Sequence, residues 1–294
     1  MIKALIAAVA TLVILGFAVS PAPAAQPGAA AGGGGGHESL LLRAQAATTI
    51  YDLELREDQL HALQKLATNT AGKPEGQPPK LGPKLRTAVA ELCAALAKAD
   101  DEKVSDLEDK VDQMKEDANI DDPTVETTDA AKSKAADVSK LLTTAQLASF
   151  VATNSDEISG PADSLIEAMD DARDGSDSDF NDVKADAANE VVMLVHGWDK
   201  DPKLADGVDS FLTKVRKMSD AEYKAKHDAL ADEARRLVGT VDPFVALKHW
   251  CEAEFADLLS NPELPGAIRA RLDHIKDAPA APTASANGGS KEGK

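Results

Sequence analysis

Leu142-Thr143-Thr144-Ala145-Gln146-Leu147-Ala148-Ser149-Phe150-Val151 is the stretch from which the fold is read. A Thr at the head of a helix can accept from the backbone N–H three residues on. A Gln at that third position can reach back to the N–H of the Thr. Two of the donors that a helix start leaves without partners are then satisfied. Leu147, Phe150 and Val151 follow on one side at helical spacing. Thr143 is therefore expected to begin a helix, with Gln146 as the return half of its cap.

Upstream, the apolar residues keep the same period. Leu85, Val89, Leu92 and Leu96, then Val104, Leu107, Val111 and Met114, recur in steps of three and four. The spacing predicts one helix from Lys84 to Ala118, about nine turns long. Its heptad-like seam suits a helical hairpin or a dimer interface; packing of the same stripe inside one chain is the alternative. Leu60, Leu63 and Leu66 mark an earlier stripe in a helical stretch from Glu38 to Ala67, with a break near Tyr51. Between the two, Pro74, Pro78, Pro79 and Pro83 with three glycines predict an extended loop.

Downstream, helices are predicted over about Val125–Leu141, Thr143–Val151, Ala162–Arg173, Asp179–Val195, Leu204–Lys217, Asp220–Val238, Pro243–Leu259 and Pro265–Ile275. Proline near several starts and Gly197 and Gly239 after two ends fit helix boundaries. No window of alternating β-branched residues marks a strand. The fold class expected is all-α: hairpins or a bundle, with one long amphipathic helix, in one body or two helical subdomains.

Composition supports that class. Apolar residues make up 43% of the chain and aromatics only 3%, so the core is to be built from Leu, Val and Ala. The net charge is −18. Such a polyanion repels phosphates and anionic lipid, which excludes nucleic acid and membrane surfaces as partners and leaves basic partners and cations. Cys93 and Cys251 are the two cysteines. One long-range disulfide and two buried thiols are both compatible with their apolar settings.

The ends differ from the middle. Lys3, the apolar run Ala4 to Val19 and the small residues Ala22-Pro23-Ala24 read as a cleavable secretory signal over residues 1–25. A flexible Ala/Gly-rich linker is placed at 26–47, with five consecutive glycines from Gly32. One helical module is expected over 48–155, a second over 160–277, and a disordered tail over 278–294.

Lys140 to Phe150 resembles the second repeat of the Spy/CpxP-like periplasmic proteins, the LTxxQ motif family. Leu142, Thr143 and Gln146 carry the match. Upstream, Leu53 to Leu60 stands where the first repeat belongs, with Leu55 and Gln59 matching and Arg56 in place of Thr. The Pro-rich connector and charged helix between them follow the family's order. The resemblance covers about Ala46 to Val151. It implies a small helical cradle, often dimeric, that holds unfolding proteins in the cell envelope without ATP; some relatives sense stress or bind metal. Its cradles carry a basic concave surface, and this chain departs from that in being acidic. Met218-Ser219-Asp220-Ala221-Glu222 repeats the chemistry and is read as one more capping box.

Three further patterns fail as sites. The run Val191 to Trp198 looks like the oxyanion strand of an α/β-hydrolase, but no Gly-x-Ser-x-Gly elbow follows. Asp174 to Asp179 resembles a calcium loop with its Gly too early and no Glu at the twelfth position; it is read as a turn with Asp179 as N-cap. His249 and Glu252 share a helix face, while Cys251 points elsewhere, which is no zinc set.

No combination of residues supplies an acid, base or nucleophile, so no enzyme, metal or cofactor is expected. The expected function is an exported helical protein that binds unfolded or partner proteins through an apolar helix face. That face would comprise Leu60, Leu63, Leu85, Val89, Leu92, Leu96, Leu107, Val111, Met114 and Phe150, and a homodimer is the other use it suits. The alternatives are a structural, self-assembling envelope protein without clients, and a metal or stress sensor.

Overall fold

Helix starts in this chain are set by short polar side chains and prolines. Thr128, Thr143, Ser176, Asp201, Ser219 and Asp242 each accept a backbone N–H from the first turn they precede. Pro83, Pro161, Pro202 and Pro243 occupy first-turn positions, where a missing N–H costs nothing. The computed structural model describes residues 38–76, 79–155, 158–173 and 176–277. The expected signal peptide, residues 26–37 of the linker and the C-terminal tail lie outside these.

Twelve helices make up the described residues: α1 (Glu38–Asp52), α2 (Glu57–Leu66), α3 (Pro83–Lys98), α4 (Asp101–Ala118), α5 (Asp129–Leu141), α6 (Thr144–Thr153), α7 (Pro161–Asp171), α8 (Asp177–His196), α9 (Pro202–Arg216), α10 (Asp220–Val238), α11 (Pro243–Ser260) and α12 (Leu264–Asp277). The all-α fold class holds. The β-pairing among these residues is an isolated bridge between Pro74 and Val125. Val125 is thus tied to the Pro-rich loop rather than beginning α5, which Thr128 caps. Likewise Ser176, not Asp179, caps α8; Asp179 is the return half of that capping box.

The predicted long helix is broken in two. Ala99 sits in the left-handed region at φ 49°, ψ 51°. The N–H groups of Ala99 and Asp100 turn back to the carbonyls of Leu96 and Ala95, the bonding of a Schellman stop. The polar stretch Asp100 to Lys103 offers the seam nothing to bury, so the chain reverses there. α3 and α4 pack together, and the Lys110–Glu91 ion pair across them marks an antiparallel hairpin. A second such stop, at Asn119 with φ 48°, ends α4.

Apolar packing divides the helices into two bodies. The first holds buried residues of α1 to α6 together with those of α11 and α12. The second is α7 to α10, around Leu165, Met169, Val208, Phe211, Leu212 and Val215. This departs from the expected boundary, which put residues 243–277 in the second module. α11 packs on α5, and α12 on α1, α2 and α3. The linker boundary moves as well: residues 38–47 are helical, and Leu41, Leu42, Ala46 and Ala47 are buried on α1, so this stretch joins the core and is not tether. α8 joins the bodies, with Val191 in the second core and Leu194, one turn on, in the first.

Candidate functional site

The two segments that carry the motif resemblance meet. Gln59 and Gln146, 87 residues apart, exchange hydrogen bonds through their amides, Nε2 to Oε1 at 2.8 Å one way and 3.0 Å the other. Both are nearly inaccessible to solvent, at 4% and 8% exposure. Each oxygen also accepts from the N–H that begins its own helix: Arg56 N–H to Gln59 Oε1 at 2.9 Å, and Thr143 N–H to Gln146 Oε1 at 3.0 Å. Each nitrogen donates to a carbonyl just upstream of the other helix. Gln59 reaches Leu141 O at 2.6 Å; Gln146 reaches Glu54 O at 2.8 Å and Leu53 O at 3.1 Å. The result is a near-twofold clasp of α2 and α6.

The clasp is half capped. Thr143 Oγ1 accepts from the Gln146 N–H at 3.2 Å, completing the box that the sequence predicts. A guanidinium has no acceptor, so Arg56 supplies only its backbone N–H and its side chain turns to Asp58. Leu55 is buried beside the clasp and Leu142 packs partly buried against the same core. No buried side-chain nitrogen or oxygen among the described residues lacks a partner, as burial of an amide pair demands.

The expected apolar working face is not a surface. Leu60, Leu63, Leu85, Val89, Leu92, Leu96, Val111 and Phe150 are all buried in the first body, and Leu107 and Met114 pack partly buried against it. The physical reason is the reversal at Ala99. Folding α4 back on α3, with α1 and α12 laid over α3, covers the stripe from within one chain. Phe150 lies between the rings of Trp250 and Phe255 at centroid distances of 5.7 and 5.6 Å. Among the described residues the exposed large apolar side chains are Trp198, Phe244 and Val245.

What the fold opens instead is a cleft of about 950 Å³ between α1, α4, α11 and the 122–127 loop. Leu41, Ala44, Leu92, Val111, Phe150 and Leu258 lie at its base, each buried in the first core, and acidic residues including Glu75, Glu108, Asp109 and Asp122 stand on its walls. Lys115, the cation among its lining residues, is held by Asp112 at 3.0 Å and Asp122 at 2.8 Å. Burial pulls the ammonium pKa down, but those two carboxylates outweigh it and raise it overall. Glu108 is half-buried, and desolvation followed by repulsion from Asp112 and Asp109 holds its pKa above the usual carboxylate range. Desolvation also raises Asp257, partly offset by the hydrogen bond it accepts from Thr127 Oγ1 at 2.6 Å. Sequence reasoning missed this wall. Its signal was the acidic spacing Glu108-Asp112 on the flank of the seam; its closure by α11 is a long-range event.

Other candidates resolve differently. Among the described residues no three His, Cys, Asp or Glu side chains gather as a metal-holding group. His249 Nδ1 lies 3.1 Å from the Leu194 carbonyl, and Glu252 pairs with Lys248 at 3.3 Å. Both cysteines are free thiols. Desolvation pushes Cys93 up to about 11 and Cys251 up to about 12, the latter helped by Glu254 and Glu252, so neither is a thiolate at neutral pH. No described helix is long and apolar enough to cross a membrane. Comparison of the chain with family models, with curated proteins and with solved structures returns no match.

Proposed function

We propose that this chain is an exported, non-enzymatic helical protein that binds other polypeptides in the cell envelope, similar in its motif architecture to the Spy/CpxP-like LTxxQ proteins. The observation that carries the reading is the Gln59–Gln146 clasp. It makes one structural unit of the two segments on which the resemblance rests. The binding surface differs from the one the sequence suggests, because the seam is consumed inside the chain and the accessible concavity is the acidic cleft.

The test is aggregation of an unfolded model substrate with the mature protein at stoichiometric ratio and no ATP. Slower aggregation supports client binding; no protection at any ratio overturns it. Burial of the whole seam favours a second reading, a structural envelope protein that holds no clients. Light scattering separates the two. A fixed oligomer that binds no apolar dye and protects no substrate is the structural protein.

A further inference from the structure

We infer that His249 is an acid-strengthened latch between the two apolar bodies, an imidazole on α11 that caps the C-terminal end of α8 and holds it more firmly as pH falls.

The position of the latch follows from the course of α8. Val191 belongs to the second core and Leu194 to the first, and α8 packs on α11. The last four carbonyls of a helix have no partner inside it, and Leu194 is among them, since α8 ends at His196. His249 Nδ1 lies 3.1 Å from that oxygen. A carbonyl only accepts, so the nitrogen carries the proton and donates. The ring also lies against Gly197, where a Cβ would stand 3.1 Å from Cδ2 and 3.2 Å from Nε2. Glycine leaves room for the ring there, and its φ of +64° is one that glycine adopts without strain.

Other helix ends in the chain show what is special about this cap. Lys134 donates to the Leu66 carbonyl at the end of α2, and Arg271 to that of Ala97 at the end of α3. Arg216 donates to the Ala172 carbonyl after α7, and Arg173 to that of Val215 at the end of α9. Each of these ties stays inside one body, and each donor is charged throughout the physiological range. His249 makes the corresponding tie between the bodies, with a side chain of the one type that ordinarily changes charge near neutral pH.

The sign follows from the carbonyl. A neutral ring can make this bond only as the Nδ1–H tautomer. Protonation sets a full positive charge against the negative end of α8 and makes the bond charge-assisted. The latch therefore tightens as pH falls through about 6.5 and loosens as it rises. The charged groups at this corner come from every element that meets it. Lys132 of α5 lies 5.1 Å from the centre of the Trp198 ring, Lys248 pairs with Glu252 on α11 at 3.3 Å, and His196 pairs with Asp201 at the turn into α9 at 3.2 Å. Lys132 opposes the added charge and Glu252 favours it. His196 is a second imidazole, so its pair with Asp201 is the rival source of acid sensitivity.

The experiment compares urea unfolding of the full chain with that of His249→Gln at pH 5.5 and pH 8, in the wild-type and the His196→Gln background. Glutamine keeps an amide donor and cannot take a charge. The loss in folding equilibrium constant caused by His249→Gln should be about fivefold larger at pH 5.5 than at pH 8, and should stay so in the His196→Gln background. Comparing two proteins at one pH cancels the carboxylates that both share. Nitrogen-15 NMR of the unaltered chain supplies a readout that needs no variant to fold: at pH 8 the His249 ring should be the Nδ1–H tautomer. An equal loss at both pH values, disappearance of the pH-dependent part in the His196→Gln background, or an Nε2–H ring at pH 8 each overturns the proposal.

Discussion

The two apolar bodies are built from opposite kinds of sequence. The second runs uninterrupted from α7 to α10, and the polar ties at its helix ends join helices within that one stretch. Arg173 donates to the carbonyls of Val215 and Met218 at the end of α9, and Arg216 donates to those of Ala172 and Arg173 at the end of α7. The first body gathers both ends of the described chain. Arg43 pairs with Glu263 at 2.7 Å, 220 positions away, and Asn261 donates to the Leu42 carbonyl at 2.8 Å. Thr70 donates to Leu259 O at 2.6 Å and accepts, at its carbonyl, from Thr128. Neighbouring helices can close a small core by themselves. A core that must wait for α11 and α12 depends on long-range polar ties, and it is this body that owns the clasp and the cleft.

The largest expected effect tests that division. Phe150→Ala removes the ring between Trp250 and Phe255 and should cost about 3–5 kcal/mol. Leu212→Ala, in the second core, should cost about 2–5 kcal/mol. In denaturant unfolding followed by circular dichroism and tryptophan fluorescence, each substitution should move its own body's transition more than the other's. One transition shifted equally by both would erase the distinction between the bodies.

Next comes the clasp. Gln146→Leu removes its bonds to the carbonyls of Leu53 and Glu54 and both bonds to the Gln59 amide, which keeps only Arg56 N–H and Leu141 O, and should cost about 2–3 kcal/mol. The double change of Gln59 and Gln146 to Leu should cost less than the sum of the single changes, because each single change already removes the bonds that the two amides share. Additive losses measured by urea denaturation would mean that the two amides do not act as a pair.

A smaller effect of opposite sign is expected at the hairpin reversal. Ala99 holds a left-handed conformation that disfavours a Cβ, so Ala99→Gly should stabilise by about 1 kcal/mol and raise Tm by roughly 2–4 °C. A loss of stability would argue that α3 and α4 do not reverse there.

The smallest concerns the cleft wall. The raised pKa of Glu108 means that the folded chain binds that proton more tightly than the unfolded chain does. Its contribution to stability therefore falls as pH rises above the unfolded value near 4.3. Glu108→Gln should gain a few tenths of a kcal/mol at pH 7, a value discounted for its partial exposure. The gain should vanish below about pH 4, where the carboxyl is protonated in both states. Thermal melts from pH 3.5 to 7.5 check this, and a gain independent of pH would remove the desolvated carboxylate as its cause.

Much of this protein is local and therefore legible in its sequence. Helix type follows from composition and period. The starts at Thr143 and Ser219 follow from side chains that reach only three residues, and the break near Tyr51 lies where α1 ends. The apolar stripe on α3 and α4 was equally plain. What the sequence could not say was which surface covers that stripe, because an exposed seam and a folded-back one have the same period. The turn at Ala99 is hidden too, since nothing in an alanine announces a left-handed residue. Only the tertiary structure brought Gln59 to Gln146, returned α11 and α12 to the first core, and turned the flank of α4 into a cleft wall. These are contacts between residues far apart in the chain, settled by which faces can be buried together and by which carbonyls are left for an amide to reach.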